Sequence, residues 1–193
     1  FFPRQSPKTT GLSPFSAHSS LSSPSPTPPS SKEDAVLQAK TSLLTTLQKP
    51  LNNPRPIGKT KKQKQPRFRV EIPVIDDSSE SLVQLALDVF KDLQIKRKGS
   101  VSSVKMLFIW PNPTTMKSGI EAFKSVPSGL FEHIELSTLM TVDNRILNSA
   151  DVGVFLAPSS SQLTVVKEVG DSLDPRPLVL FNPRWAFEEE ASF

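Results

Sequence analysis

Three continuous apolar runs constrain this chain more than any other feature. They are "VKMLFIW" (104–110), "DVGVFLAP" (151–158) and "PLVLFN" (177–182). A run without polar alternation is typical of a strand that is covered on both faces, as in a parallel sheet between helices. The alternating segment "RFRVEIPV" (67–74) and the segment "HIELSTL" (133–139) predict two further strands.

Helical periodicity separates these strands. A strongly apolar helix is predicted from a capped start at Asp77 to Leu93, and shorter helices are predicted from Thr114 to Lys124 and from Ser159 to Leu173. Strands and helices that alternate in this way predict the α/β class. The expected architecture is a Rossmann-like three-layer fold with a mostly parallel sheet, formed by residues 67–193.

A further amphipathic helix is predicted before the first strand, over residues 32–49. Ser31 is expected to cap its start, and Pro50 is expected to end it. Because one face of this helix is apolar, it must dock on something. It is therefore a candidate contact surface.

Polar side chains follow three of the predicted strands, in "WPNPTT", "APSSSQ" and "NPRW". In an open parallel sheet, ligands bind beyond the carboxyl ends of the strands. Hydroxyl groups at helix starts together with an arginine are suited to hold an anion. The candidate residues at this edge are Asn112, Thr114, Thr115, Ser159, Ser160, Asn182 and Arg184.

A simpler interpretation explains the same residues as turn and capping groups. Thr114 and either Ser159 or Ser160 would then be helix N-caps, and Arg184 would bridge the nearby glutamates. The sequence has neither G-x-G-x-x-G nor G-x-x-x-x-G-K-[ST], so the common phosphate-binding loops are absent. No set of nucleophile, base and orienting group is recognisable. The chain is predicted not to be an enzyme, with no catalytic residue, cofactor or metal site.

The positive charge of the chain is confined to its first third. Residues 1–66 contain ten Lys or Arg and two acids, whereas residues 67–193 contain thirteen Lys or Arg and seventeen acids. A nucleic-acid-binding domain carries its positive charge on the folded unit, so nucleic acid is an unlikely partner. The Pro-rich segment 50–66 is predicted to be a basic linker. Its candidate patch for a membrane or a protein partner is Lys59, Lys61, Lys62 and Lys64 with Arg67 and Arg69, the alternative being a solvated linker.

The first 31 residues have the composition of a disordered segment. They include ten serines and seven prolines, and no acidic residue. A serine-rich, acid-poor and basic leader is typical of an organelle transit peptide, and its many prolines favour a plastid. A low-complexity linker or a phosphorylated tail is the alternative. No window of the sequence is apolar enough for a transmembrane helix.

The segments "LFIWPNPTTMKSGIEAF", "ADVGVFLAPSSSQL" and "RPLVLFNPRW" together resemble the domain-of-unknown-function 1995 family of chloroplasts and cyanobacteria, in particular its Low PSII Accumulation 3-like plant members. The resemblance covers residues 30–193. It implies an auxiliary factor in the chloroplast stroma, or peripheral on the thylakoid, that works with other assembly factors on photosystem II and its core antenna subunit.

The resemblance also implies that the domain of residues 67–193 is incomplete, because similar proteins continue well past "NPRW". It implies no catalytic residues. The alternative function, drawn from the strand-end residues, is a small-molecule or nucleotide-binding enzyme.

Overall fold

Five parallel strands form the centre of the protein. The computed structural model describes residues 27–53, 64–74, 76–99, 103–127, 129–141 and 145–192. The strands are β1 (Arg67–Val70), β2 (Met106–Trp110), β3 (Phe131–Glu135), β4 (Val152–Leu156) and β5 (Leu178–Phe181). Their order across the sheet is β1-β5-β4-β2-β3, and every neighbouring pair is parallel. This confirms the predicted α/β fold with a parallel sheet.

Helices cover both faces of the sheet, as the buried strands require. The helices are α1 (Lys32–Asn52), α2 (Ser79–Phe90), α3 (Pro113–Phe123), α4 (Arg145–Ser149) and α5 (Leu163–Leu173). On one face α1, α2 and α3 pack against side chains such as Phe108 and Val154. On the other face α4 and α5 pack against alternate side chains such as Leu107 and Phe155. The three-layer architecture follows, and no residue of β2, β4 or β5 is exposed.

Helix α1 docks on its own domain. Its apolar side chains Leu43 and Leu47 are 1% and 0% exposed in the core shared with α2 and α3. Two ion pairs support this contact, from Lys32 to Asp88 of α2 at 3.5 Å and from Lys40 to Asp92, in the turn after α2, at 3.6 Å. The predicted docking of this amphipathic helix therefore takes place within its own domain, on α2, and Leu37 is a large apolar side chain of α1 that stays exposed, at 63%.

The sequence predicts that α1 ends at Pro50, but the helix continues to Asn52. The proline removes one N–H donor in the last turn, but Asn53 N still donates to Lys49 O at 3.0 Å. Burial of Leu51 and a hydrogen bond of 3.0 Å from Asn52 Nδ2 to Lys96 O hold the final turn in place. Tertiary contacts therefore outweigh the helix-breaking tendency of the proline.

Several other predicted boundaries are shifted. Ser78 rather than Asp77 caps α2, with its Oγ accepting from Ser81 N at 3.2 Å. Asn112 rather than Thr114 caps α3, so the proline of Asn-Pro becomes the first helical residue. Strand β3 begins two residues earlier than predicted and ends at Glu135, because the chain turns into a short 3₁₀ helix, Thr138–Met140.

Two predicted segments lie wholly or mostly outside the described residues. They are the leader, of which residues 1–26 are not described, and most of the basic linker, residues 54–63. Among the helices of the described ranges, none combines the length and apolar character that a membrane crossing requires.

Aromatic side chains fill the core beneath α2 and α3. Phe108 contacts Phe90 and Phe123 edge to face, with ring centroids 5.2 and 5.1 Å apart. Trp110, fully buried at the end of β2, lies against Gly119 of α3. A Cβ atom at residue 119 would lie 2.8 Å from Trp110 Cε2 and closer still to two further ring atoms. Only glycine therefore allows α3 to approach the sheet this closely.

We predict that Gly119→Ala destabilises the protein. The new methyl group must displace a fully buried indole, and overpacking of this kind costs about 1–3 kcal/mol, although alanine favours the helix by about 1 kcal/mol. The matched control is Ser118→Ala on the same helix, for which a change within about 0.5 kcal/mol is expected. Urea unfolding of both variants measures the difference, and equal stabilities would contradict the packing role of Gly119.

Candidate functional site

The carboxyl ends of β2 and β4 form the point at which the strand order reverses. From β2 the chain crosses to β3 on one side, and then returns to place β4 on the other side. Loops diverge at such a point, and open α/β sheets bind their ligands there. A pocket of about 250 Å³ lies at this position, lined by Asp77, Ser79, Leu82, Pro111, Asn112, Thr115, Ala157, Ser159, Gln162 and Arg184.

Four of the seven predicted strand-end residues line this pocket. They are Asn112, Thr115, Ser159 and Arg184. Thr114 and Ser160 are exposed and do not line it. Asn182 serves another purpose, because its side chain pairs with the backbone of Ile72, accepting from the N–H at 2.8 Å and donating to the carbonyl at 2.9 Å. It joins β5 to the segment that follows β1.

The polar groups of the pocket hold the surrounding turns in place. Asn112 Oδ1 accepts from both the backbone N–H and the hydroxyl of Thr115, each at 2.9 Å. Gln162 Oε1 accepts from Ser159 N at 3.0 Å, and Gln162 Nε2 donates to Pro111 O at 2.9 Å. The loop after β4 is thereby tied to the loop after β2. These groups already have hydrogen-bond partners within the chain.

Arg184 contacts an aspartate rather than the glutamates that the sequence suggested. Its Nη2 lies 2.9 Å from Asp77 Oδ1 and 3.1 Å from the Asp77 carbonyl oxygen. The side chains are 44% and 74% exposed, so water screens the pair. Because Asp77 offsets the charge of Arg184, the pocket lacks the net positive charge that favours an anion.

The wall of the pocket contains a strained residue. Ala157 has φ of 41°, in the left-handed region that alanine seldom adopts. Asn182 has φ of 46° at the same level of the neighbouring strand, where its side chain stabilises the turn. Strained backbone of this kind is concentrated at functional sites.

The chemistry available at the pocket is limited. The titratable side chains among its lining residues are Asp77 and Arg184. The hydroxyl of Ser159 lies 2.8 Å from Ser161 Oγ, and no described residue is a base in hydrogen-bond contact with it. Within the residues that the structure describes, no group of three His, Asp or Glu side chains is placed to hold a metal ion. Binding is therefore easier to derive from this site than covalent chemistry.

The arginine that contacts the C-terminal glutamates is Arg69. Its guanidinium pairs with Glu71 and Glu190 and donates to the carbonyl of Trp185 at 2.7 Å. Trp185 Nε1 donates to the same Glu190 carboxylate at 2.9 Å. Burial lowers the pKa of Arg69, but the hydrogen bonds and charges of Glu71 and Glu190 outweigh it and raise the pKa above its ordinary value. We call these residues, with Phe187 at 5.9 Å from the guanidinium, the Arg69 clamp.

The predicted basic patch is not assembled by the described residues. Arg67 pairs with Asp171 at 2.9 Å, and Arg69 lies in the clamp with 15% of its side chain exposed. Both residues belong to β1, and their charges are offset by the acidic side chains with which they form ion pairs. Lys64 also has an interaction within the chain, and Lys59, Lys61 and Lys62 lie outside the described residues.

His133 is a half-buried titratable side chain that the sequence analysis did not single out. Its Nδ1 accepts from Trp110 Nε1 at 3.1 Å, and the two rings are stacked with centroids 5.9 Å apart. Burial lowers the pKa of His133 to about 4. The imidazole is therefore neutral at pH 7, and its role is packing between β3 and β2.

Glu135, at the end of the same strand, is a buried ionisable side chain. Burial raises the pKa of Glu135, but the hydrogen bonds that Ser137 and Thr138 donate to the carboxylate outweigh this effect. The pKa is therefore below its ordinary value. The carboxylate oxygens accept from the hydroxyl of Ser137 at 2.8 and 2.6 Å and from that of Thr138 at 2.8 Å. The carboxylate therefore shapes the turn after β3.

We predict that Arg69→Ala lowers the free energy of unfolding by about 2–3 kcal/mol, because it leaves the partly buried Glu190 carboxylate without its counter-charge. The matched control is Arg184→Ala, which breaks an exposed pair and should cost less than about 1 kcal/mol. Urea unfolding compares the two variants. Equal losses would show that the clamp contributes no more than a surface ion pair.

We predict that His133 makes stability depend on pH between about 6.5 and 4. The unfolded chain binds a proton at His133 in this window and the folded chain does not, so stability falls as the pH falls. His133→Gln, which keeps an acceptor for Trp110 Nε1, should show a shallower fall. Thermal unfolding of both proteins in matched buffers measures this, and an equal fall of stability with pH in the two proteins would contradict a neutral imidazole in the folded chain.

Comparison with known proteins gives one result that covers most of the chain. The family model described as Domain of unknown function (DUF1995) matches residues 29–193. No curated protein matches the chain, and no solved structure does. The match begins before α1 and includes every helix and strand described above. The chain therefore belongs to the domain-of-unknown-function 1995 family.

Proposed function

We propose that this protein is a non-enzymatic auxiliary factor of chloroplasts that assists the assembly of photosystem II, in particular of its core antenna subunit, through protein–protein contacts. It would act in the stroma or peripherally on the thylakoid membrane. One observation carries the non-enzymatic part of this proposal. The polar groups at the carboxyl ends of the strands, where a Rossmann-like enzyme would place its chemistry, are hydrogen-bonded to the chain itself.

The photosystem part of the proposal rests on sequence. The segments "DVGVFLAPSS" and "RPLVLFNPRW" resemble the plant members of the family that act on photosystem II, and the leader has the composition of a plastid transit peptide. Family membership is compatible with this role but names no activity of its own.

We predict that the tagged full chain, isolated from chloroplasts after mild cross-linking, retains photosystem II core subunits, including the core antenna subunit. A plastid-targeted protein with the same tag is the control. Recovery of soluble metabolic enzymes or RNA without any thylakoid protein would contradict the proposal.

A variant with fewer positive charges in the linker distinguishes attraction to the membrane from binding to a protein partner. Replacement of Lys59, Lys61, Lys62 and Lys64 by Gln should reduce thylakoid co-fractionation, since each cation near an anionic membrane contributes about 1 kcal/mol. Cross-links to a protein partner should remain. If they are lost together with the membrane fraction, the linker itself is the contact.

A second candidate function is binding of a small molecule or nucleotide at the strand-end pocket. Its support is the position of the pocket at the reversal of strand order, together with the strained Ala157 in its wall. Arg184 would then exchange its exposed partner Asp77 for an anionic group of the ligand.

We predict for this candidate that a nucleotide or phosphorylated metabolite raises the melting temperature, and that Arg184→Ala abolishes the rise. Asp77→Asn, which removes the competing carboxylate, should strengthen binding. A screen of common nucleotides and sugar phosphates without any shift in the unaltered chain would reject this function.

A further inference from the structure

A second pocket opens at the opposite end of the sheet, where the strands begin. It encloses about 380 Å³ and is lined by the segment after α2 and by the first residues of β2 and β3. Its apolar walls include Leu93, Ile95, Val104 and Met106, which are 8%, 6%, 6% and 2% exposed. These side chains lie at the base of a depression rather than on a protruding surface.

The rim of this pocket is cationic. Lys96 and Arg97 contribute to its lining, and Arg97 is paired with Asp151 at 3.0 Å. The Asp151 carboxylate also accepts from Lys105 N at 2.9 Å, so its charge is already shared. Within the described part of the chain, neither Lys96 nor Lys105 forms an ion pair, and both are exposed.

The end of helix α1 is hydrogen-bonded to the segment that lines this pocket. The side-chain amide of Asn52 donates to Lys96 O at 3.0 Å and accepts from Lys98 N. The last turn of α1, which carries the exposed Lys49, is therefore fixed beside the segment that carries Lys96 and Lys98. Neither Lys49 nor Lys98 is in an ion pair with a described residue. The last turn of α1 therefore lies next to residues 96–98, and of the exposed lysines in these two segments Lys96 lines the pocket itself.

We propose that this pocket binds an acidic peptide segment of a partner protein, with one apolar side chain of that segment in the pocket and its carboxylates on Lys96 and Lys98. An apolar anchor in a desolvated pocket supplies most of the binding free energy at protein interfaces, and the surrounding charges set the choice of partner. The volume is at the lower end of the range of about 300–1,000 Å³ for ligand pockets, which suits one side chain better than a cofactor.

The recessed position of the apolar atoms favours a peptide over a membrane surface. A lipid headgroup layer could reach the exposed lysines, but Ile95 and Met106 are accessible only to a group that enters the depression. A purely electrostatic contact would leave the apolar walls unused.

This inference rests on the proposed role of the chain as a protein-binding factor and adds the site and the chemistry of the partner. It concerns the purified protein alone and can be tested without chloroplasts. If no peptide binds, partners recovered by cross-linking in chloroplasts would still support the proposed function. Conversely, peptide binding by a chain that recovers no thylakoid protein would retain the site and reject photosystem II as the target.

The test is a methyl NMR titration of the full chain with three synthetic pentapeptides. Each has a central phenylalanine, leucine or tryptophan between aspartate and glutamate residues. At least one should shift the methyl signals of Met106 and Ile95 saturably, with a Kd below ~1 mM, while Met116 on α3, which does not line the pocket, stays unchanged. A peptide with serine at the centre, and one with asparagine and glutamine in place of the acids, should bind at least about tenfold more weakly.

Two variants of equal charge change complete the test. Lys96→Gln with Lys98→Gln should weaken binding about tenfold or more, whereas Lys117→Gln on α3 with Lys124→Gln at its C-cap should leave it unchanged. The inference is overturned if no peptide shifts Met106 and Ile95, or if the serine peptide binds equally well. It is also overturned, in favour of a lipid surface, if only vesicles of anionic phospholipid bind and the loss of Lys96 and Lys98 abolishes that binding.

Discussion

The need to cover both faces of a parallel sheet determines most of this structure. Strands β2, β4 and β5 carry almost no polar side chain and are buried along their whole length. The helices that pack on them therefore bury an apolar face against the sheet. The same requirement explains α1, whose Leu43 and Leu47 complete the core above α2. An amphipathic helix next to an incompletely covered neighbour docks its apolar face on that neighbour.

The parallel arrangement also brings all strand ends of one kind to one edge, which made the position of the polar pocket predictable. Asn112, Thr115, Ser159 and Arg184 come together because β2, β4 and β5 are neighbours with parallel chains. The roles within the pocket were harder to predict. The N-cap residue is the one that adopts the extended backbone conformation before the helix. Asn112 has this conformation, so Pro113 becomes the first residue of α3 and Thr114 lies inside the helix.

Side-chain pairing between distant segments could not be derived from local patterns. The contact of Arg69 with Glu190 joins residues 121 positions apart, and it needs β1 to lie beside β5 at the edge of the sheet. The stacking of His133 on Trp110 likewise depends on the register in which Phe108 faces His133 across β2 and β3. Apolar runs and helical periodicity report burial and element type, whereas register and strand order are set by the whole core.

The two ends of the sheet differ in how their charges are used, and this difference bears on where a partner would bind. At the carboxyl ends, Asp77 offsets Arg184, and the helix starts are capped by Ser78 and Asn112. At the amino ends, Lys49 lies in the last turn of α1, where a cation stabilises the helix dipole, and that effect alone would explain its position. Lys96, Lys98 and Lys105 lie beyond any helix terminus, so the dipole does not account for them. Exposed cations around a recessed apolar pocket contribute little to folding, and for that reason their surface is the better candidate for recognition than the internally paired carboxyl edge.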